Sequence, residues 1–178
     1  MGSPVLPAGF EVTDDPLIPR RPASRPFDAE GIPARRNVLV EDGVLRSWLL
    51  DLASARKLGL ETTGNAARGT GGPPSPAATN IRVTEGTKSR DELVAEMGTG
   101  LVVTSLIGLS LNPTTGDYSR GASGFWVEGG EIVHPVNEIT IAGALPEVLR
   151  TVIPANDADP WKARAVPSLL VEGLTIGA

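Results

Sequence analysis

The sequence has no cysteine and a single histidine among its 178 residues. A disulfide framework, a zinc site with thiolate ligands, an iron–sulfur cluster and a thiol nucleophile are therefore excluded within this polypeptide. Zinc proteases of the His-Glu-x-x-His type need two histidines one helical turn apart, which His134 alone does not supply. We therefore expect no metal site in this chain.

Basic clusters and long apolar runs are scarce as well. The net charge is −5, and residues 113–160 hold seven acidic side chains against two basic ones. Because nucleic-acid binders gain much of their affinity by pairing Lys and Arg with phosphates, we expect no direct contact with nucleic acid. Residues 101–111 form the most apolar stretch, well short of the ~18 residues of a membrane-spanning helix. No secretory leader pattern begins the chain, so we expect a cytoplasmic protein without membrane contact.

Turn-forming residues, in contrast, are abundant, with 21 glycines and 16 prolines. Seven of the prolines lie in residues 1–34, which we interpret as an extended arm ahead of a domain over residues 35–178. Asp42-Gly43 supplies the positive φ of a tight hairpin between residues 35–40 and 44–50. Residues 61–80 carry four glycines, three prolines and no large apolar side chain. This composition predicts a long loop that is functional or mobile.

Capping signals predict short helices. Asp51 and Gly59 bound a helix that carries Leu52, Ala55 and Leu58 on one face. Ser89 and Glu92 form a capping box for a helix that runs through Met97, and residues 146–153 begin with a proline in a first helical turn. Strands are predicted over residues 81–84, 101–111, 118–127, 132–133, 138–141 and 168–176, with a hairpin turn at 128–131. The sum is an α+β fold, rich in β structure, with a mainly antiparallel sheet, hairpins and two or three short helices.

The segment 116–128 concentrates three of the seven aromatic residues in a glycine-rich strand: Tyr118, Phe125 and Trp126. Asp117, Ser119 and Arg120 accompany them. One interpretation is a core strand with a surface ion pair, which would stabilise the fold little. The other is a strand whose glycines expose backbone groups to an extended peptide, as in β-augmentation. A third alternative, a hydrolase that uses His134 with Ser119 or Ser123 and Asp117, lacks one residue of the Gly-x-Ser-x-Gly elbow.

The same segment resembles the C-terminal domain of the TldD/PmbA family, and more closely its PmbA (TldE) branch. The resemblance covers nearly the whole chain. It includes Asp14-Asp15-Pro16, residues 24–31, residues 54–59, Thr63 to Ala66 with Arg68, Thr79-Asn80, residues 116–128, and Pro135-Val136 leading to residues 138–143.

This resemblance implies a non-catalytic role. TldD-like subunits of the family carry a His-Glu-x-x-x-His zinc motif, and PmbA-like subunits pair with them in a heterodimeric peptidase that processes peptides. We therefore expect no cofactor in this chain, zinc in a TldD-like partner subunit, and an extended peptide as substrate. We also expect no catalytic residue in this chain and a domain that is inactive by itself. The older description of the family as a modulator of DNA gyrase remains an alternative, with a protein partner.

The resemblance also implies a cleft or a subunit seam that this domain helps to form. We expect residues of the glycine-rich strand and the long loop to line it: Asn65, Arg68, Asp117, Tyr118, Ser119, Arg120, Phe125 and Trp126. Family members normally carry an N-terminal domain as well, so a homodimer of the isolated domain is a further expectation.

Overall fold

The computed structural model describes residues 1–177, except for the side chain of Leu109, so Ala178, where the predicted domain ends, lies outside the described residues. Two compact units emerge. The first comprises Met1–Thr84 with Ala158–Pro167, and the second comprises Glu85–Asp157 with Ser168–Ala178. The boundary at residue 34 stays a prediction.

Thirteen strands and three helices make up the described chain. In chain order they are β1 (Val12–Asp14), β2 (Asn37–Glu41), β3 (Val44–Leu45), α1 (Leu52–Leu58), β4 (Ala66–Ala67), β5 (Ser75–Pro76), β6 (Ile81–Val83), α2 (Arg90–Met97), β7 (Gly100–Leu111), β8 (Asp117–Glu128), β9 (Glu131–Ala144), α3 (Leu145–Val148), β10 (Ile153–Pro154), β11 (Arg164–Ala165), β12 (Leu169–Leu170) and β13 (Thr175–Gly177).

The first unit contains a five-stranded sheet in the order β11-β6-β1-β2-β3. All of its pairs are antiparallel except β11 with β6. Asp42 and Gly43 both have positive φ, 48° and 73°, in the predicted hairpin turn between β2 and β3. Within residues 61–80, β4 and β5 form a short antiparallel hairpin of their own.

The second unit contains a four-stranded antiparallel sheet in the order β13-β9-β8-β7 and a small pair, β10 with β12. Its three long strands form a meander of 12, 12 and 14 residues. Ala122, Ile139 and Ile141 are buried at its centre, with Leu101, Tyr118, Val136 and Leu174 packed against them. The mainly antiparallel α+β architecture is therefore confirmed.

Four predicted elements differ in detail. The helix predicted over residues 146–153 is the short α3, Leu145–Val148, and Ile153 belongs to β10. On α1 only Ala55 is buried, whereas Leu52 and Leu58, which are predicted on the same face, are exposed. The predicted strands 132–133 and 138–141 are one continuous strand, β9, which bulges where Glu138 takes a φ of 55°. The predicted closing strand 168–176 is two strands, β12 and β13, interrupted around Gly173. No helix in residues 1–177 is long and apolar enough to cross a membrane.

Candidate functional site

The strand β8 carries six of the eight predicted site residues and lies between β7 and β9. Both of its ladders contain irregularities, and in each case the extra residue belongs to the neighbouring strand. The strand itself therefore alternates regularly, so its even-numbered and odd-numbered side chains point to opposite faces. The six predicted residues are divided between the two faces.

Tyr118, Arg120 and Trp126 share one face. The ring of Tyr118 packs against the cluster of Ala122, Ile139 and Ile141. Arg120 Nε donates a hydrogen bond of 2.6 Å to the carbonyl oxygen of Gly108. Trp126 Nε1 donates one of 2.9 Å to Glu128 Oε1. All three side chains are half-buried, so each combines an anchored part with an accessible part.

Asp117, Ser119 and Phe125 share the opposite face. Asp117 Oδ2 accepts a hydrogen bond of 2.6 Å from Thr115 Oγ1 at the turn before the strand. Phe125 is 37% exposed, and its neighbours in the ladders are Val102 and Pro135. Because Asp117 and Arg120 lie on different faces, the predicted surface ion pair between them does not form.

The backbone of β8 is fully occupied by its two neighbours. A strand paired on both sides has no free edge, so peptide addition to β8 is excluded and the β-augmentation interpretation of this strand is wrong. Close packing against the neighbouring strand explains a glycine in β8 instead. A Cβ on Gly124 would lie 1.9 Å from the carbonyl oxygen of Val102, beside the bulge in β7. The close backbone approach expected for this glycine is confirmed.

Asn65 is fully buried and joins several chain segments of the first unit. Its Nδ2 donates to Asp14 Oδ2 at 2.6 Å, and its Oδ1 accepts from Asn37 Nδ2 at 3.0 Å. Asp14 Oδ1 in turn accepts from Thr79 N at 2.6 Å and Thr79 Oγ1 at 2.8 Å. Asn65 therefore holds β1, β2 and the segment around β4 together and has no surface to offer a ligand. Arg68, three residues later, is exposed in the loop that joins β4 to β5.

The serine hydrolase alternative fails on geometry. His134 lies opposite Trp126 in the ladder of β8 and β9, on the even-numbered face of β8. Ser119 and Ser123 lie on the odd-numbered face, so neither hydroxyl can reach the imidazole across the sheet. Residues 1–177 also contain no group of three or more His, Cys, Asp or Glu side chains placed to hold a metal ion. The side chains present do not fit a zinc site.

Sequence reasoning missed a group of arginines in the first unit. Residues 16–27 contain Arg20, Arg21 and Arg25 but no acidic residue, although the chain as a whole is acidic. The Nε and Nη1 atoms of Arg21 and the Nε and Nη2 atoms of Arg25 are buried without a hydrogen-bond partner. A three-arginine stretch without a compensating acid was the available signal.

Asp28 illustrates why Arg25 lacks a carboxylate partner. Asp28 Oδ1 accepts from the N–H groups of Glu30 and Ile32, both at 2.9 Å, and Oδ2 accepts from that of Ala66 at 3.0 Å. Burial by itself raises the pKa of Asp28, but these three N–H groups and the charge of Arg25 outweigh it and lower the pKa. The carboxylate is therefore ionised and already taken by backbone donors.

A second feature that the sequence analysis did not predict is a groove of ≈ 470 Å³ in the second unit. It is lined by α2, residues 101–104 of β7 and residues 168–171. Arg90 is the only charged residue among the described lining, so the groove is mainly apolar.

Sequence comparison places these features in a family. Residues 1–178 match the model of the PmbA/TldA metallopeptidase C-terminal domain. Metalloprotease PmbA of Escherichia coli O157:H7 is 46% identical over 153 residues, which are 86% of this chain and 32% of that protein. A metalloprotease TldD homologue of Haemophilus influenzae is 32% identical over 79% of this chain and 30% of that protein. The chain thus spans about a third of the length of these relatives.

Two solved structures have the same fold. TldE from Thermococcus kodakarensis superposes with a TM-score of 0.85 at 26% identity, over 100% of this chain and 42% of that one. A protein from Thermotoga maritima, described as a modulator of DNA gyrase, superposes with a TM-score of 0.81 at 38% identity, over 99% of this chain and 41% of that one.

Proposed function

The chain belongs to the family of PmbA/TldA metallopeptidase C-terminal domains, and we propose that it acts as the non-catalytic partner of a TldD-like zinc subunit in peptide hydrolysis. The observation that carries this proposal is the difference in sequence identity, which is 46% to the relative named PmbA and 32% to the one named TldD. The chemistry of the side chains is consistent with it, since residues 1–177 hold no group of His, Asp or Glu side chains placed as zinc ligands. Zinc and the hydrolytic step are assigned to the partner subunit.

In this proposal the domain contributes part of the wall of the peptide cleft and part of the interface with the partner subunit. The exposed parts of β8 are the contact surface. Tyr118, Arg120 and Trp126 would contact the partner subunit or an extended peptide from one face of the sheet. Asp117, Ser119 and Phe125 would do so from the other face. The anchored hydrogen bonds of Arg120 and Trp126 support such a role, because a side chain that is already held loses less entropy on binding.

The two predicted residues of the first unit have different parts in this proposal. Arg68 is accessible and would contact the peptide or the partner directly. Asn65 would act as a positioning residue, because its buried amide fixes the start of the hairpin that carries Arg68. A cytoplasmic location and a homodimer of the isolated domain stay predictions.

The decisive experiment measures peptide hydrolysis and bound zinc for this chain alone, for a TldD-like subunit alone, and for their mixture. We expect zinc in the partner and turnover that rises at least about tenfold on mixing, since assembly would complete the cleft. Turnover by this chain alone would overturn the proposal, as would a mixture no faster than the TldD-like subunit.

Variants assign the contact surface. Tyr118→Ala and Arg120→Gln should each weaken partner affinity or peptide turnover by about tenfold, as expected for central interface residues. Arg150→Gln, which removes the same charge from an exposed position after α3, is the matched control and should change either quantity less than about twofold. Unchanged affinity and turnover in both β8 variants would remove β8 from the proposal.

A pull-down of gyrase without a peptidase subunit would favour the gyrase alternative that the Thermotoga structure's description suggests.

A further inference from the structure

The arginine loop, residues 16–27 of the first unit, has features of an anion site that the proposed function does not use. Its three cations have no acidic residue within the loop. None of them forms a salt bridge among the residues that the structure describes. Four guanidinium nitrogens, two on Arg21 and two on Arg25, are buried without a hydrogen-bond partner. Because buried polar groups are nearly always paired, such orphaned donors indicate a missing acceptor.

The loop is held in one conformation by a buried amide. Asn80 Nδ2 donates to the carbonyl oxygen of Asp15 at 2.9 Å and to Ser24 Oγ at 3.0 Å, and its Oδ1 accepts from Ala23 N at 3.2 Å. The hydroxyl of Ser24 also donates to the carbonyl oxygen of Ile18. Asn80, directly before β6, therefore holds both the start of the loop and its middle. This fixation limits the entropy that the loop loses when it binds a ligand.

The two arginines lie close together along the loop. Ser24 N donates to the carbonyl oxygen of Arg21 at 3.2 Å, which closes a turn. Such a turn keeps its first and fourth Cα atoms within about 7 Å, and Arg25 is the next residue. Two side chains of this length can therefore reach one ligand. Both residues keep a partly exposed surface, through which a ligand can approach.

Trp161 defines how Arg21 presents its donors. The guanidinium carbon of Arg21 lies 4.3 Å from the centre of the Trp161 ring. A guanidinium stacked on an aromatic face keeps its N–H groups directed outward in its own plane. That planar fork matches the two oxygens of a carboxylate.

From these observations we propose that Arg21 and Arg25 bind a carboxylate of a peptide. The peptide as source rests on the proposed function, whereas the carboxylate chemistry rests on the orphaned donors alone. The carboxylate is either the C-terminus or a Glu or Asp side chain, and the experiment distinguishes these two sources. Asp28 cannot supply it, since its oxygens are occupied by backbone N–H groups.

The test is calorimetric titration of this chain, without any partner subunit, at one fixed salt concentration. The probes are an acetylated five-residue Gly/Ala peptide with a free C-terminus, its amidated form, and an amidated form with a central glutamate. We expect at least one carboxylate-bearing peptide to bind about tenfold or more tightly than the neutral amidated peptide. Equal binding of all three would overturn the proposal. So would binding of inorganic phosphate that neither carboxylate peptide displaces.

Variants link the binding to the two arginines. Arg21→Gln and Arg25→Gln should each weaken the preferred peptide about tenfold, and Arg21→Lys should weaken it too, because lysine keeps the charge but loses the fork. Arg20→Gln is the matched control, since it removes the same charge from an exposed position of the same loop. An equal loss in Arg20→Gln would show attraction by general charge and overturn the site. The comparison of probes on the unmodified chain keeps the test valid if a variant fails to fold.

The result is separable from the proposed function. If neither carboxylate peptide binds while the mixture with a TldD-like subunit hydrolyses peptides, the carboxylate site is wrong and the proposed function stands. If a carboxylate peptide binds but mixing produces no hydrolysis, the site stands and the subunit role is wrong.

Discussion

The two units of this chain are stabilised by different kinds of interior. All nine buried polar or charged side chains of the described chain belong to the first unit: Thr13, Asp14, Asp28, Asn37, Asp51, Thr63, Asn65, Thr79 and Asn80. The buried core side chains of the second unit, among the described residues, are all apolar: Leu93, Ala122, Val127, Ile139, Ile141, Val148, Val152 and Ala155. The first unit has short strands that side-chain hydrogen bonds join together. The second unit has long strands that pair through their own backbone hydrogen bonds. In this chain, the unit with the shorter strands is therefore the one that relies on buried side-chain hydrogen bonds between its segments.

The largest expected loss of stability follows from disrupting the buried hydrogen bonds of the first unit. Asp14→Ala removes the acceptor of Thr79 N–H, Thr79 Oγ1–H and Asn65 Nδ2–H. Because buried donors without acceptors are costly, we expect a loss of about 4 kcal/mol in the free energy of unfolding, measured by urea denaturation. Asp15→Ala is the control, since Asp15 Oδ1 accepts only from the exposed N–H of Leu17, and it should cost less than about 1 kcal/mol. Similar losses in both variants would contradict the importance of the network.

The second effect tests the backbone fit of the second unit. A Cβ at position 124 would overlap the carbonyl oxygen of Val102, so Gly124→Ala should cost about 3 kcal/mol as the strands move apart. At Gly121 the nearest atom to a Cβ is the carbonyl oxygen of Ile107 at 3.5 Å, an ordinary contact. Gly121→Ala should therefore change stability by less than about 1 kcal/mol, in either direction. Equal costs at the two positions would show that β7 yields without penalty.

The third effect concerns the response of the first unit to acid. The folded-state pKa of Asp28 is lowered, so its stabilising effect is fully present above the ordinary carboxyl pKa of about 4 and is lost as the pH falls through the lowered value. Asp28→Asn should cost about 2 kcal/mol at pH 7, because the amide group turns a donor toward backbone N–H groups. The difference between the variant and the unmodified chain should shrink in denaturation series below pH 4. A difference that does not depend on pH would contradict an ionised Asp28.

The smallest effect compares the N-caps of one helix from each unit. Asp51 Oδ1 accepts from Ser54 N at 2.7 Å at the start of α1, and this hydrogen bond lowers the pKa of Asp51. Ser89 and Glu92 form the reciprocal capping box of α2. Asp51→Ala and Ser89→Ala should each cost about 1 kcal/mol by thermal or urea unfolding. Asp51→Asn keeps the acceptor and should cost clearly less than Asp51→Ala.

The elements that sequence reasoning recovered are those coded by neighbouring residues. The Asp42-Gly43 hairpin, the caps of α1 and α2, and the long strands β7 and β8 each follow from a local rule of turn, cap or period. Asn65 shows the limit: a glycine- and proline-rich surrounding suggested a mobile loop, but the partners that bury it are 28 and 51 residues away. Contacts at such separations leave no local pattern.

The candidate site was recovered in part for the same reason. The composition of residues 116–128 pointed to β8, but only the strand order shows that the strand is central and that its side chains are divided between two faces. Arg21 was missed because its aromatic neighbour, Trp161, lies far away in sequence. A residue's chemistry is visible in the sequence, whereas its accessibility is a property of the fold.

The bulges of β7 also bear on self-association. β7 is the outermost strand of its sheet, it is 12 residues long, and its apolar side chains include Ile107, which is 67% exposed. A long, flat, apolar edge of this kind is a template for edge-to-edge aggregation. The ladder is interrupted between Val103 and Ser105 and again between Ile107 and Ser110, and Gly108 has a φ of 69°. These irregularities divide the edge into short segments, and bulges of this kind are a feature that opposes edge-to-edge pairing with a second chain.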